Sequence, residues 1–279
     1  MECAVALNAI PLQPQAVQSG RAILREVRRP IPPSRVAEPH RQPQAFQRGP
    51  ASLWDPLIAT RMRIRKGATL YRPGDRFASL YVIRSGSCKT VMLNDDGQGH
   101  ILGYHMSGDL VGVDGIGDGR HHASLVALED GELCVIPFDR VEALARNDVQ
   151  FQRQFYRVLA TETTLARTAL LMLASMRAEQ RLAAFLLDLS RRYAALGYSS
   201  REFVLRLTRE EIGSHLGLTL ETVSRLFSRF RQLGIVDVQG RGIRLVDIAA
   251  LKQLLERGLD EPESRRDGTA LAIAMVRAA

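Results

Sequence analysis

One short stretch of the chain, GLTLETVSRLFSRFRQLG at residues 217–234, has side chains whose types and spacing suit contacts with DNA bases. On a helix, Glu221, Ser224 and Arg225 share one face, because residues three and four positions apart are neighbours. Arginine can donate two hydrogen bonds to guanine, and a carboxylate can accept one from the exocyclic amine of cytosine. A carboxylate directed at a phosphate would be repelled. We therefore expect Glu221, Ser224 and Arg225 to read base edges.

Hydroxyl and guanidinium groups near two predicted helix starts suit contacts with DNA phosphates. Helix N-termini present unpaired N–H groups and a partial positive charge, which attract anions. Thr208 has Glu211 three residues further on, which is the spacing of a capping box. The predicted phosphate contacts are Thr208, Arg209, Thr219, Thr222 and Ser228. The competing interpretation is an ordinary core helix whose polar face is solvated.

The elements around this stretch follow the order of a winged helix-turn-helix. REEIGSHLG predicts a short helix capped by Thr208, and a second helix capped by Thr219 runs to Leu233. IVDVQGRGIRLV predicts a hairpin with a glycine-rich tip, and DIAALKQLLERG a last helix capped by Asp247. Helix, short turn, helix and hairpin form that motif. The side chains expected to pack on Ile212 and Leu216 are Val223, Leu226, Phe227, Phe230 and Leu233.

Before the helical third, short strands alternate with turns. MRIRKGATLYRPGDRFASLYVIRSGSCKTVML has β-branched and aromatic runs split by KG, PGD and RSG, and the rhythm continues through HASLVALEDGELCVIPF. A turn signal every 8–12 residues is typical of a β-sandwich or barrel. We expect this domain over residues 51–147.

A long helix is predicted over residues 148–176, and it has two apolar stripes. One stripe contains Glu162, which would oppose its own copy on the axis of a symmetric dimer. We therefore assign that stripe mainly to the chain's own β-domain and the other to a partner helix. The predicted dimer seam is Tyr156, Leu159, Thr163, Ala166, Leu170 and Leu173. Alternatively, both stripes are intramolecular core.

The whole-chain features suit a cytoplasmic protein with a polyanionic partner. The 279 residues suit two domains, and the net charge of +8 suits a polyanionic partner such as double-stranded DNA. Residues 1–50 contain eight of the twelve prolines, so we expect a disordered tail there and a second flexible tail over 259–279. Three scattered cysteines and the lack of a membrane-spanning or signal segment predict a cytoplasmic protein with no membrane partner.

The stretches LYRPGDRFASLYVIRSGSCKTVML, GDLVGVDGIG and EQRLAAFLLDLSRRYAALGYSSREFVLRLTREEIGSHLGLTLETVSRLFSRF resemble the Crp/Fnr superfamily of bacterial transcription regulators, on the Fnr side. The resemblance covers about residues 53–250. It implies an α+β fold with an N-terminal β-roll, which is a jelly roll like that of cyclic-nucleotide-binding domains, a long dimerisation helix, and a C-terminal winged helix-turn-helix over 177–258. It also implies a homodimeric activator, a TTGAT-type palindrome read by Glu221, Ser224 and Arg225, and contact with RNA polymerase.

The chain departs from the family's two sensor chemistries. Cys134 matches one ligand of the Fnr iron–sulphur cluster, but Cys3 is alone where three further cysteines would be needed. Where cyclic-nucleotide-binding members have an Arg-Ser pair that holds the cyclic phosphate, this chain has His121 and His122, which we interpret as neutral surface histidines of a turn. Cys88 is expected to be a buried thiol. We therefore predict no iron–sulphur cluster, no cAMP and no metal.

Two alternatives stay open at the level of sequence. The first is the same regulator gated by a β-roll ligand such as haem, nitric oxide or a small molecule. The second is a cupin-like metal enzyme, but His100, His105, His121 and His122 lack the ligand spacing that this chemistry requires. No nucleophile and base pair is apparent either. We expect a regulator and not an enzyme.

Overall fold

The first part of the fold is a β-roll of two antiparallel sheets. The computed structural model describes residues 53–94 and 97–257, which belong to one structural unit. Its strands are β1 Thr60–Ile64, β2 Thr69–Tyr71, β3 Ser79–Ser85, β4 Ser87–Leu93, β5 Gly99–Met106, β6 Leu110–Val111, β7 Ser124–Ala127 and β8 Gly131–Pro137. The strand order is β1-β8-β3-β6 in one sheet and β2-β7-β4-β5 in the other. The predicted tails, 1–50 and 259–279, lie outside the described residues.

Side chains of β3 alternate between two apolar clusters, as the two-residue period of a strand requires. Ile83 packs between the two sheets with Leu125 and Leu133. Leu80 packs on the other side, in a cluster that also contains the fully buried Trp54. The β-roll therefore has an inner core and a second core shared with the helices that follow it.

Six α-helices follow the β-roll or lie beyond it. They are α1 Phe138–Asn147, α2 Val149–Ser175, α3 Ala178–Ala195, α4 Arg209–Leu216, α5 Leu220–Gln232 and α6 Ile248–Arg257. The N-cap of the long helix α2 is Asp148, whose carboxylate accepts hydrogen bonds from the N–H groups of Gln150 and Phe151. Such a cap satisfies N–H groups that have no partner in the first turn.

The two stripes of α2 meet different surroundings. Phe151, Phe155 and Val158 are buried against the β-roll, and both phenyl rings pack nearly perpendicular to the ring of Trp54. Beyond Glu162 this stripe leaves the β-domain, because Leu165 is 41% exposed and Ala169 is exposed. The assignment of the whole stripe mainly to the β-domain is therefore wrong for its C-terminal half.

The C-terminal part contains a three-stranded antiparallel sheet and its helices. The strands are β9 Glu202–Val204, β10 Val236–Gln239 and β11 Gly242–Leu245, in the order β10-β11-β9. Val223, Phe227 and Phe230 of α5 are buried in one cluster with Ile212 and Leu216 of α4. Leu233 is 54% exposed, so the prediction that it belongs to this core is wrong. The helix ends at Gln232, and Leu233 is its C-cap residue.

The α+β architecture of β-roll, long helix and winged helix-turn-helix is confirmed. In the described part of the chain, no helix combines the length and apolar content that crossing a bilayer requires.

Candidate nucleic-acid interface

The turn between α4 and α5 is built around two glycines. Thr208 and Glu211 form the predicted capping box: the Thr208 hydroxyl accepts from the Glu211 N–H at 3.1 Å, and the Glu211 carboxylate accepts from the Thr208 N–H at 2.6 Å. Gly217 ends α4 with φ of +63°, a conformation that L side chains rarely adopt. At Gly213 a Cβ would lie 2.6 Å from the carbonyl oxygen of Leu218. The turn closes tightly because both positions lack a side chain.

The second helix of the motif, α5, presents the three predicted base-reading residues to solvent. The Thr219 hydroxyl accepts from the Thr222 N–H at 3.2 Å and so fixes the start of the helix. Glu221, Ser224 and Arg225 are exposed, opposite the buried Val223. They occupy the N-terminal half of the helix, which is the part that enters the major groove in this motif.

The charge state of Glu221 suits acceptance of a hydrogen bond. Its backbone N–H, the Thr219 hydroxyl and, more weakly, the charge of Arg225 lower the pKa of the carboxyl below its ordinary value. An ionised carboxylate only accepts hydrogen bonds. Glu221 can therefore accept from an exocyclic amine and offers nothing to an acceptor atom, while Arg225 only donates.

The residues predicted to contact phosphates lie around this face, and their hydroxyl groups already make contacts within the protein. Thr208 and Thr219 are helix caps, and the Thr222 hydroxyl lies 3.0 Å from that of Thr219. The Ser228 hydroxyl donates to the carbonyl of Ser224 at 3.1 Å, so this hydroxyl must turn before it can donate to a phosphate.

Arg209 differs from a solvated surface arginine. Its guanidinium lies 3.5 Å from the ring centroid of Phe227, a cation–π contact between α4 and α5. Its Nη1 is buried and finds no hydrogen-bond partner among the described residues. Burial also lowers the pKa of Arg209. The stacked guanidinium braces the two helices and keeps donor capacity for a further acceptor.

The β-roll supports α4 directly, a contact that sequence reasoning missed. The ammonium group of Lys89 on β4 lies 2.5 Å from the Glu211 carboxylate. On β5, the N–H of Ile101 donates to the Ser214 hydroxyl at 3.0 Å, and Arg206, just before α4, pairs with Glu129 at 3.1 Å. The capping spacing identified Glu211 as a cap, but residues 89 and 211 are too far apart in sequence for their pairing to be predicted.

Glu211 therefore has two tasks. Burial alone would raise the pKa of the Glu211 carboxyl. Hydrogen bonds from Lys89 and from the Thr208 N–H outweigh this effect and bring the pKa below its ordinary value of 4.5. One carboxylate thus starts the first helix of the motif and attaches it to the β-roll.

A polar junction connects α2, α3 and the β-roll. Arg192 of α3 donates to the Tyr104 carbonyl at 2.9 Å and pairs with Asp109 in the turn after β5. Glu162 of α2 faces this junction, and burial together with the charge of Asp109, partly offset by Arg192, raises its pKa to about 7. The expectation that Glu162 faces its own chain agrees with this placement.

The predicted dimer seam lies along the outer side of α2. Tyr156, Leu170 and Leu173 are 58%, 66% and 43% exposed, and Thr163 and Ala166 are also exposed. Leu159 alone of the six packs against the helix–sheet core. In one copy of the chain, five of these six side chains are therefore exposed.

The cysteines and histidines of the β-roll do not converge on a metal-binding arrangement. Cys88 and Cys134 are buried free thiols, and burial raises the pKa of Cys88 to about 12. No group of three or more histidine, cysteine or acidic side chains within 53–94 and 97–257 is placed to hold a metal ion. His121 is 3% exposed and stacks on Tyr71, so its interpretation as a surface residue is wrong.

These features define a winged helix-turn-helix DNA-binding protein with an N-terminal β-roll. The family models that match are the Crp-like helix-turn-helix domain, over residues 180–254, and the Cyclic nucleotide-binding domain, over residues 61–148.

Curated relatives and solved structures agree with these matches. The transcriptional regulatory protein btr of Bordetella pertussis is 49% identical over 72% of this chain and 83% of its own length. The fumarate and nitrate reduction regulatory protein of Escherichia coli is 42% identical over 72% and 80%. The structure of FixK2 from Bradyrhizobium japonicum matches with a TM-score of 0.65 and 30% identity, over 75% of this chain and all of FixK2.

The chain belongs to the Crp/Fnr family, as its sequence predicted. It is a DNA-binding transcription regulator and not an enzyme.

Proposed function

We propose that the protein is a homodimeric cytoplasmic activator that reads a TTGAT-type palindrome through Glu221, Ser224 and Arg225. The observation that carries the proposal is the shared exposure of these three side chains on the first half of α5. The capped helix starts beside them supply groups for the flanking phosphates. RNA polymerase is the further partner implied by the family resemblance.

The exposed seam of α2 supports dimerisation. Complete burial of a large apolar side chain contributes about 1.5–3 kcal/mol. Tyr156, Leu170 and Leu173 are about half exposed, so covering them should contribute roughly half of that for each. Pairing two α2 helices covers these side chains in both copies. Two recognition helices then meet half-sites about one helical turn of DNA apart, which matches a palindrome.

Neither sensor chemistry of the family is part of the proposal. An iron–sulphur cluster takes about four thiolates. Cys88 and Cys134 are buried, unpaired thiols, and Cys3 lies outside the described residues. At residues 121 and 122, where cyclic-nucleotide-binding members have the Arg-Ser pair, the ring of His121 stacks on Tyr71 with 3.7 Å between centroids. We therefore propose a regulator that dimerises without an iron–sulphur cluster or a cyclic nucleotide. The alternative is the same regulator gated by haem, nitric oxide or a small molecule in the β-roll.

Fluorescence anisotropy tests this proposal. The purified protein, in air and without ligand, is titrated onto a duplex with two TTGAT-type half-sites and onto a scrambled duplex, across a salt series. Each good bidentate contact contributes about 1–3 kcal/mol, so Arg225→Ala, acting at two half-sites, should weaken binding at least about 30-fold. Arg231→Ala is the matched control, because it removes the same charge from an exposed position in the last turn of α5.

The outcomes separate the alternatives. Tight binding to the palindrome alone, lost in Arg225→Ala and kept in Arg231→Ala, supports base reading by a preformed dimer. Equal weak binding to both duplexes that collapses with salt would overturn the ligand-free reading of this palindrome. An elution mass of a monomer in air would overturn the preformed dimer.

A further inference from the structure

The turn between β6 and β7 contains a carboxylate surrounded by donors. Asp114 lies in the short 3₁₀-helix Val113–Gly115, and its carboxylate accepts from the N–H of His122 at 2.9 Å and from the N–H of Ala123 at 3.3 Å. The Nδ1 of His121 lies 3.3 Å from the other carboxylate oxygen. Because an ionised carboxylate only accepts, that nitrogen donates in this contact.

Backbone N–H groups that converge in a turn form a concave site for an anion. Two such N–H groups and one ring N–H meet here at a single position, and Asp114 fills it. By resemblance, this is the segment in which cyclic-nucleotide-binding members hold the cyclic phosphate. The donors that a phosphate would need are therefore already paired within the chain.

The space next to the carboxylate is also filled. The buried imidazole of His121 stacks on Tyr71 with 3.7 Å between centroids and 9° between planes, and the ring of Phe77 meets it edge-on. Tyr71 in turn stacks on Tyr81 at 6.0 Å. Burial, reinforced by the charge of Asp114, raises the pKa of Tyr71, which agrees with a closed interior.

We propose that Asp114 is an internal anion that occupies the phosphate position of the β-roll and closes it to phosphorylated ligands. The carboxylate orders the turn without a bound ligand. Asp114 is therefore the residue that excludes phosphorylated ligands. This inference deepens the ligand-free part of the proposed function and rests on it only for its consequence in DNA binding.

The test removes the carboxylate and offers inorganic phosphate to the full chain. Asp114→Ala leaves three donors without an acceptor, so phosphate should bind and raise the melting temperature. At about five times its Kd, ligand linkage raises the melting temperature of a protein of this size by about 2–4 °C. Potassium chloride at matched ionic strength controls for general salt effects.

Asp118→Ala is the matched control variant. Asp118 lies in the same turn and accepts from the Arg120 N–H at 3.1 Å, but its carboxylate is half exposed and does not touch the N–H groups of residues 122 and 123. The wild type and Asp118→Ala should show no phosphate-specific shift. Asp114→Ser also removes the carboxylate and shortens the side chain, so it serves if Asp114→Ala does not fold, and it should gain the same response.

A phosphate-specific shift in the Asp114 variants alone supports the internal anion. The absence of any shift in both Asp114 variants, or an equal shift in all proteins, overturns it. A parallel titration with cAMP separates the source of the anion: a response to phosphate without one to cAMP is expected, because His121 and Tyr71 still fill the adjacent space. Since no DNA is present, failure of palindrome reading would leave this result unaffected.

Discussion

Replacing Lys89 by methionine removes the charged group that attaches β4 to the cap of α4, while the aliphatic length of the side chain is kept. The ammonium nitrogen lies 2.5 Å from the Glu211 carboxylate, and the two side chains are 20% and 21% exposed. Hydrogen bonds to charged groups contribute about 1.5–3 kcal/mol when shielded from water. Exposed ion pairs contribute about 0–1 kcal/mol. A partly shielded pair therefore predicts a coupling free energy of about 1–2 kcal/mol.

A double-mutant cycle in urea measures that coupling. Glu211→Gln is the second single variant, because the amide oxygen can still accept from the Thr208 N–H and so keeps the cap. Arg146 and Glu142 supply the control cycle, since their ion pair is exposed and 3.4 Å long and should couple by less than about 0.5 kcal/mol. A coupling between Lys89 and Glu211 no larger than that of the control pair would refute this account of how the β-roll holds α4.

The pH dependence gives the same pair a second readout. The pKa of Glu211 is lower in the folded state than its ordinary value of 4.5. The contribution is therefore fully present above pH 4.5 and is lost as the pH falls through the folded-state pKa. The stability difference between wild type and Lys89→Met should shrink on acidification in that direction. A difference that grows below pH 4.5 would contradict this assignment.

Three further outcomes are expected. Gly213→Ala places a Cβ 2.6 Å from a backbone oxygen of the turn and should destabilise the fold by about 2–4 kcal/mol and weaken DNA binding, whereas Gly117→Ala, in open space, should change little in the same urea and anisotropy measurements. The pKa of Glu162 is raised to about 7 in the folded state, so the native state binds more protons than the unfolded state between about pH 4.5 and 7. The free energy of unfolding should therefore fall as the pH rises through this range. Glu162→Gln should reduce this pH dependence in urea melts at pH 5 and 8. Leu170→Glu should shift sedimentation equilibrium from dimer to monomer, whereas Leu93→Glu on β4, where Leu93 is 57% exposed against 66% for Leu170, should not.

Local chemistry made the helix starts predictable. Thr208 and Thr219 each lie just before an amphipathic run, and a hydroxyl at that position satisfies N–H groups of the first turn whatever the rest of the fold does. The strand pattern was predictable for a similar reason, because alternation and turn glycines act over a few residues.

The sequence predictions failed where the burial of a side chain depends on segments far away in the sequence. His121 follows a turn and looks polar in sequence, yet Tyr71 and Phe77, from other segments of the β-roll, enclose its ring. Leu165 continues the periodic stripe of α2, but the β-domain ends before it, so periodicity alone overestimates its burial. Leu233 continues the apolar spacing of α5, but it is the C-cap residue after Gln232 and is 54% exposed.

The position of the proposed base-reading face, Glu221, Ser224 and Arg225, depends on contacts made by other residues. α5 is oriented by α4 through the closed turn at Gly213 and through Arg209 stacked on Phe227, and α4 is attached to β4 by Lys89. A substitution of Lys89 in the β-roll should therefore shift α4 and, through it, α5 with Arg225, although Lys89 does not contact Arg225. Misplaced hydrogen-bond groups lose base discrimination before they lose phosphate attraction, because a bidentate contact needs both donors aligned whereas Coulomb attraction does not. Lys89→Met should accordingly reduce the ratio of palindrome affinity to scrambled-duplex affinity more than it reduces the affinity for the scrambled duplex itself. Removing a phosphate contact should do the opposite: it lowers both affinities and leaves their ratio nearly unchanged.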